Sequence, residues 1–332
     1  MTTWDDLLDE FRALGGTADN VCLKVGRYGR GLFPKDSSKP VQIRIPDSLL
    51  VDHKFAQFPS GDFRLSADAP VGARERTFLE NYEGEFSWPA GKREIEMTLQ
   101  TIQETSPELR DLLRQSYYGH RWVVEPTDEL VQQRFLDSRV INYKGADVIM
   151  PIIELANHGH ETEYQIDEGV GLSGMFSDEI LVRYQLCDPL QIFGKWGFAS
   201  DKEFIGLSVH FKLEQAGVVV ERADPKPKSE ARPFTPAVSV EGGRIKFPYL
   251  LLGHRTKPAL PRGNFLRMMR DAGRLRTEAE DVFDFILHGN RMHLLKLIGA
   301  CEGTAPRPGR LLRDMARFQL EAISHCVGRA DT

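Results

Sequence analysis

The sequence predicts an α+β fold: a β-rich body, a helical insert within it, and a mostly helical C-terminal lobe. Three observations predict it. Short strand-like runs punctuated by glycine and proline fill residues 21–46 and return from residue 148. Between them, residues 94–137 switch to helical apolar spacing. From residue 263 the tail reads as successive amphipathic helices. The expected division is a body over 1–203, with the insert at about 60–135, and a C-terminal domain over 204–332.

Each element has a local reason. TWDDLLDEFRAL (3–14) places apolar residues on one helical face and acids in the first turn, where the helix dipole favours them. Gly15-Gly16 ends it. VCLKVG (21–26), GLFP (31–34) and VQIRIP (41–46) are strand-like. GRYGRG (26–31) joins the first two, and three glycines in six residues imply a tight turn with exposed backbone N–H groups. It is not the G-x-G-x-x-G of dinucleotide-binding folds, and no helix clearly follows. In the insert, EIEMTLQTIQ is helical. Ser106-Pro107-Glu108 offers a cap, a first-turn proline and an acid for PELRDLLRQSYY; Thr127-Asp128-Glu129 opens DELVQQRFLDSR. VIMPIIEL and DEILVRYQ return to strand chemistry, followed by KWGFAS (195–200) and the β-like FIGLSVHFKL and GVVVERA. DPKPKSEARPFTP (224–236) reads as an exposed connection. GNFLRMMRDAGRL, EAEDVFDFILHGNRMHLLKLIGAC and RLLRDMARFQLEAISHCVG are helical.

Composition narrows the function classes. Of 332 residues, 41% are hydrophobic and 27% charged, as expected of a folded chain of about two domains. No apolar run approaches the roughly 20 residues of a membrane helix. MTTWDDLLDEF is too acidic for a signal peptide, so a cytoplasmic, membrane-free protein is expected. Cys22, Cys187, Cys301 and Cys326 form no CxxC pair, which signals neither a zinc site nor a disulfide framework. Cys187 precedes Asp188, whose charge disfavours a thiolate; the other three read as small core residues. The net charge of −5 argues against nucleic-acid binding. It conceals an asymmetry: residues 244–332 hold 16 Lys+Arg against 9 Asp+Glu, while the remainder holds 27 against 39. No GxSxG elbow exists. His158 and His160, near Glu161 and Glu163, lack a third ligand at a recognisable spacing, and no metal site is expected.

One question remains: why does the apolar run PIIELA stop at Asn157-His158? Five motifs in order bear on it: GRYGRGLF, then Ser138-Arg139-Val140, then PIIELANH (151–158), then DEILVRY ending at Tyr184, then Trp196-Gly197-Phe198. Together they resemble the SET-domain protein methyltransferases, and within them the group of the plastid Rubisco lysine methyltransferase and the actin-histidine methyltransferase. That group runs G-x-G-L-x-A, an Arg in a T/S-R context, P-x-x-D-x-x-N-H, E-x-x-x-x-Y-G and G-F. ALPRGNFLRMMRDAG (259–273) looks like the start of its helical substrate-binding domain. The departures are Arg30 between the turn glycines, Glu154 for Asp, Gln185 for Gly, and Cys187-Asp188-Pro189 where Ser-Asn is usual.

The resemblance implies a SET fold with a pseudo-knotted core. It also implies S-adenosyl-L-methionine as methyl donor and a lysine or histidine of a protein or peptide substrate as acceptor. Tyr28, Gly29, Arg30 and Gly31 would bring backbone to the cofactor, and Arg139 would pair with its carboxylate. Asn157 and His158 would hold its ammonium and adenine ends, with Phe198 bordering adenine. Ile153 and Trp196 would wall the acceptor channel, and Tyr184 would be catalytic. The chain is then a protein N-methyltransferase acting as a monomer. The alternative is a catalytically inactive SET-like module that grips a partner through its basic C-terminal lobe, suggested by the irregular QLCDP after Tyr184.

Overall fold

The computed structural model describes residues 3–116, 119–220, 234–302 and 306–324. Most of the expected connection at 224–236 (residues 224–233), together with Cys326, lies outside them. Helices and strands are mixed throughout, an α+β arrangement. The chain divides into two compact units, Met1–Met97 with Pro126–Leu186, and Thr98–Glu125 with Cys187–Thr332. Among the described residues no helix is long and apolar enough to cross a membrane.

The first unit opens with helix Trp4–Ala13. Thr3 and Asp6 cap each other's backbone N–H groups, and Leu7, Leu8 and Phe11 face inward. A four-stranded antiparallel sheet runs in the order Thr17–Asp19, Val41–Ile45, Gly169–Gly174, Gln165–Asp167. Its second strand alternates as its sequence dictates: Val41, Ile43 and Ile45 are buried while Gln42 is exposed. Val21–Gly26 and Gly29–Pro34 form a hairpin, and Val51–Asp52, Ala146–Ile149 and Val140–Tyr143 form a three-stranded sheet. The insert supplies helix Ala73–Tyr82, the first part of Trp88–Gln103, whose residues from Thr98 onward belong to the second unit, and helix Asp128–Asp137. A π-helical turn, Glu83–Ser87, separates the first two. Such turns are rare and gather at functional sites.

The apolar run 148–155 behaves differently from its sequence reading. It is not one strand. Pairing stops at Ile149, and at Ile152 the chain turns with φ 69° and ψ −59°. The Ile153 N–H donates to the Pro151 carbonyl at 2.8 Å, which closes a γ-turn of the strained, positive-φ kind. A β-branched residue there costs about 1–3 kcal/mol. A short 3-10 turn, Ile153–Leu155, follows, and a new strand begins at Asn157. The polar pair therefore opens a strand instead of closing one. DEILVRYQ also yields less strand than expected: only Leu181–Val182 pairs, in parallel, with Asn157 and His158.

In the second unit, Ile205–Leu207 pairs with Leu251–His254. A second sheet runs Phe211–Leu213, Val218–Val220, Arg244–Phe247, Ser239–Glu241. Helices Pro107–Gln115, Leu260–Asp271, Arg276–Ala300 and Pro306–Ser324 complete it. The last helix lies almost on the strands: a Cβ on Gly253 would come within 2.6 Å of Ala322 backbone carbon. The irregular Cys187-Asp188-Pro189 proves to be a helix start. Asp188 caps Pro189–Trp196 in a reciprocal box with Gln191, and Pro189 fills the first turn. The Asp188 side chain is fully buried, and also accepts the Leu207 N–H at 3.0 Å and the Gln319 amide at 2.9 Å. Cys187 is buried beside it.

Asp188→Ala is expected to destabilise the protein by about 3 kcal/mol, because it removes a cap and strands two buried donors. Urea unfolding of the two proteins measures it; a loss below about 0.5 kcal/mol would show that the carboxylate network is dispensable.

Candidate functional site

The glycine-rich turn needs Gly29 and Gly31 for different reasons. Arg27 and Tyr28 form a two-residue loop between the paired Gly26 and Gly29. Gly29 has φ +102°, backbone that side-chain-bearing residues rarely adopt, and open space around it. Gly31 is constrained by crowding: its Cβ would land on Glu179 Oε1 and lie 2.6 Å from Asn157 Nδ2. The Arg27 guanidinium lies over the Tyr28 ring, 5.3 Å from its centroid.

The parallel pairing of Asn157-His158 with Leu181-Val182 then brings two distant segments side by side. Asn157 donates its amide to the Arg30 carbonyl at 3.2 Å and to Glu179. Tyr184 Oη donates to the Ala156 carbonyl at 2.9 Å, and the Tyr184 N–H donates to His158 Nδ1 at 3.3 Å. The His158 ring lies 5.1 Å from the Tyr184 ring and 5.4 Å from that of His160. Burial is the main force raising the Tyr184 pKa; Arg139 opposes it, while Glu154 and Glu179 add to it. The phenol is thus neutral at physiological pH and a hydrogen-bond donor.

Arg139 is held from three sides. Its guanidinium lies 4.3 Å from the centroid of Phe135, Nη1 donates to Ser138 Oγ at 2.8 Å, and Nε is 3.7 Å from Glu154 Oε2. Gly91 leaves room for it: a Cβ there would come within 2.8 Å of Nη2. Glu154, whose side chain is 1% exposed, accepts the hydroxyls of Tyr82 (2.8 Å) and Ser87. Ile153, next to it, is fully buried.

Sequence reading placed Tyr28, Gly29, Arg30, Gly31, Arg139, Ile153, Asn157, His158 and Tyr184 at one site. All belong to the first unit, where hydrogen bonds join Arg30 to Asn157 and Tyr184 to the adjacent His158. Trp196 and Phe198 belong to the second unit, at the end of helix Pro189–Trp196 and just past its left-handed Gly197. Both are partly exposed, with Lys195 Nζ 4.7 Å from the centre of the Trp196 ring.

Comparison with known proteins adds little to this geometry. No family model matches the chain, and no curated protein matches it. Among solved structures, the SET domain of LSMT bound to lysine and AdoHcy aligns over 98% of this chain and 90% of that one. The identity is 12% and the TM-score 0.45, too low to bear on family or activity.

Three residues that sequence reading passed over stand in the first unit beside these. Glu179 is bonded to Asn157. Burial is the main cause raising the Tyr164 pKa, with electrostatic interaction with Tyr184 and Glu154 adding to it. Glu83, fully buried in the π-helical turn, has no hydrogen-bond partner for either carboxylate oxygen. Ser87 has one proton to give, and it goes to Glu154. Burial raises both Glu83 and Glu154, and the neighbouring Glu154 raises Glu83 further. Arg139 and two hydroxyls favour the Glu154 anion, so Glu83 is the member that keeps the proton. Only Glu179 had a usable signal, its place in the E-x-x-x-x-Y spacing.

The sign of the pH dependence follows. Below the ordinary value near 4.5, Glu83 is protonated folded and unfolded, and costs nothing. Above it the unfolded chain ionises while the folded chain does not, so stability falls as pH rises toward the folded pKa. Glu83→Gln removes this loss. The variant is expected to gain stability relative to wild type between pH 4.5 and pH 7.5, read as the difference in urea midpoints. An unchanged difference would show that Glu83 ionises in the folded state.

Proposed function

We propose that this chain is an S-adenosyl-L-methionine-dependent protein methyltransferase acting on a lysine, or a histidine, of a protein or peptide substrate. One observation carries the reading: the Tyr184 hydroxyl bonds to the Ala156 carbonyl, immediately before Asn157-His158. A phenol from one segment thus meets the polar pair of another, beside a glycine turn with an Arg30 carbonyl and a positioned Arg139.

The donor set fits the cofactor. Arg139 is a permanently charged fork suited to a carboxylate, and its three supports fix its direction. Asn157 and the Arg30 carbonyl offer polar groups at the turn, where Gly31 leaves room for Asn157 and Glu179. His158 is buried and braced by Tyr184. Ile153 is the proposed wall of the acceptor channel within the first unit. The cofactor supplies a methyl group activated on a sulfonium.

Methyl transfer is an in-line displacement, so the chain's main task is alignment. Tyr184 is suited to it: being neutral and donating to Ala156, it keeps oxygen lone pairs for C–H···O contacts to a polarised methyl. It need not take a proton. A lysine acceptor must reach the site deprotonated against a reference pKa of about 10.4, whereas a histidine at about 6.5 is already mostly neutral. The inert binding-module alternative drew on the stretch after Tyr184. That stretch is a capped helix start, so no specific observation favours the alternative.

Calorimetry is expected to show saturable S-adenosyl-L-methionine binding by wild type and by Tyr184→Phe alike. Labelled methyl incorporation into host extract should drop on the order of 100-fold in the variant. Absence of cofactor binding, or undiminished transfer by the phenylalanine variant, defeats the proposal.

A further inference from the structure

Helix Arg276–Ala300 carries two apolar faces where one would anchor it. The buried face, from Val282 through Ile286 and Leu294 to Leu297, packs against helices Leu260–Asp271, Pro306–Ser324 and Pro107–Gln115, all in the second unit. A surface helix ordinarily turns polar residues outward. This one turns out Phe285, Met292 and Leu295, which are 53%, 42% and 47% exposed. Half-buried Phe211 extends the patch: its ring centre stands 6.3 Å from that of Phe285, and a Cβ on Gly289 would land on it. Single exposed apolar residues need no explanation, but a group on one helix face marks a contact surface.

The charges around the patch are of two kinds. Glu278, Glu280 and Asp284 are matched within the chain, to Arg274, Arg276 and Arg262. Asp281 and Lys296 are exposed, and among the described residues neither has an ion-pair partner. These two bracket the patch symmetrically. Asp281, Phe285, Met292 and Lys296 follow one another at steps of four, seven and four residues. At about 3.6 residues per turn they share about 60° of arc, along about 22 Å of helix. Read from the opposite end, the stripe keeps its spacing and exchanges its charges.

Such a stripe is its own complement. A second copy laid antiparallel sets each Phe285 against the other copy's Met292, a favourable sulfur–aromatic contact, and each Asp281 against the other copy's Lys296. The opposed helix dipoles add to the match. A parallel copy would set like charge on like, and a uniformly acidic or basic partner would be matched at one end and repelled at the other.

We propose that this face is the interface of a homodimer, formed by antiparallel pairing of helix Arg276–Ala300 with its copy about a two-fold axis near His288. The proposal is independent of the methyltransferase reading, and it departs from the monomer that the family resemblance implies.

Sedimentation equilibrium of the full chain is expected to show a concentration-dependent monomer–dimer equilibrium. Phe285→Asp puts a charge at the centre of the face and should weaken dimerisation on the order of 100-fold. Its circular dichroism and unfolding midpoint should match wild type, since the side chain is more than half exposed. Asp281→Lys and Lys296→Asp each create two like-charge contacts per dimer, and each alone should weaken dimerisation about tenfold. Combined, they restore opposite charges and should recover the wild-type dissociation constant. A wild type that stays monomeric at every concentration overturns the proposal, as does a dimer indifferent to Phe285→Asp. Loss in the single charge variants without recovery in the double would show that the helices do not pair antiparallel, and overturns it too. A monomeric wild type whose methyl transfer to host extract falls in Phe285→Asp would give the face to a substrate instead.

Discussion

The parallel pairing of Asn157-His158 with Leu181-Val182 is the constraint on which the site depends. Parallel neighbours cannot be joined by a tight turn, so the chain between them must travel elsewhere and return. It does so through Gln165–Asp167 and Gly169–Gly174, which join a different sheet. The pairing sets Tyr184 against Ala156 and His158, and Glu179 against Asn157 and the hairpin. Each of these contacts spans more than twenty residues of sequence, so none survives loss of the register.

Around that pairing the interior is unusually polar. Glu83, Glu154, Tyr82, Ser87 and Arg139 share a region whose side chains are almost wholly dry. Isolated ions there would be costly, and the direct contacts of the Tyr82 and Ser87 hydroxyls and of Arg139 go to Glu154. A neutral Glu83 resolves the remainder. The consequence reaches Arg139, whose direction depends on a Glu154 that stays charged.

Legibility in the sequence followed locality. Caps at Ser106 and Thr127 and the stop at Gly15 depend on neighbours a few residues apart, and could be read directly. The alternating Val41–Ile45 was equally plain. The apolar run 148–155 misled because hydrophobicity reports burial, which is real, and not extension, which a turn at Ile152 interrupts. Nothing local marks an isoleucine for positive φ. QLCDP looked irregular because its aspartate answers to Leu207 and Gln319, far along the chain. Tyr184, Asn157 and Arg139 stood out through ordered motifs. Glu83 did not, since ENYEGE resembles any solvated helix end and only tertiary burial makes it exceptional.

The Tyr82 hydroxyl donates to Glu154 at 2.8 Å, two residues past the bend at Ile152. One phenol from the helical insert thereby anchors the far side of a bend whose positive-φ residue favours extended backbone. The insert is thus a working part of the body. A shortened relative lacking it would have to find another latch for this bend, or carry a glycine at position 152 and accept a looser approach to Asn157.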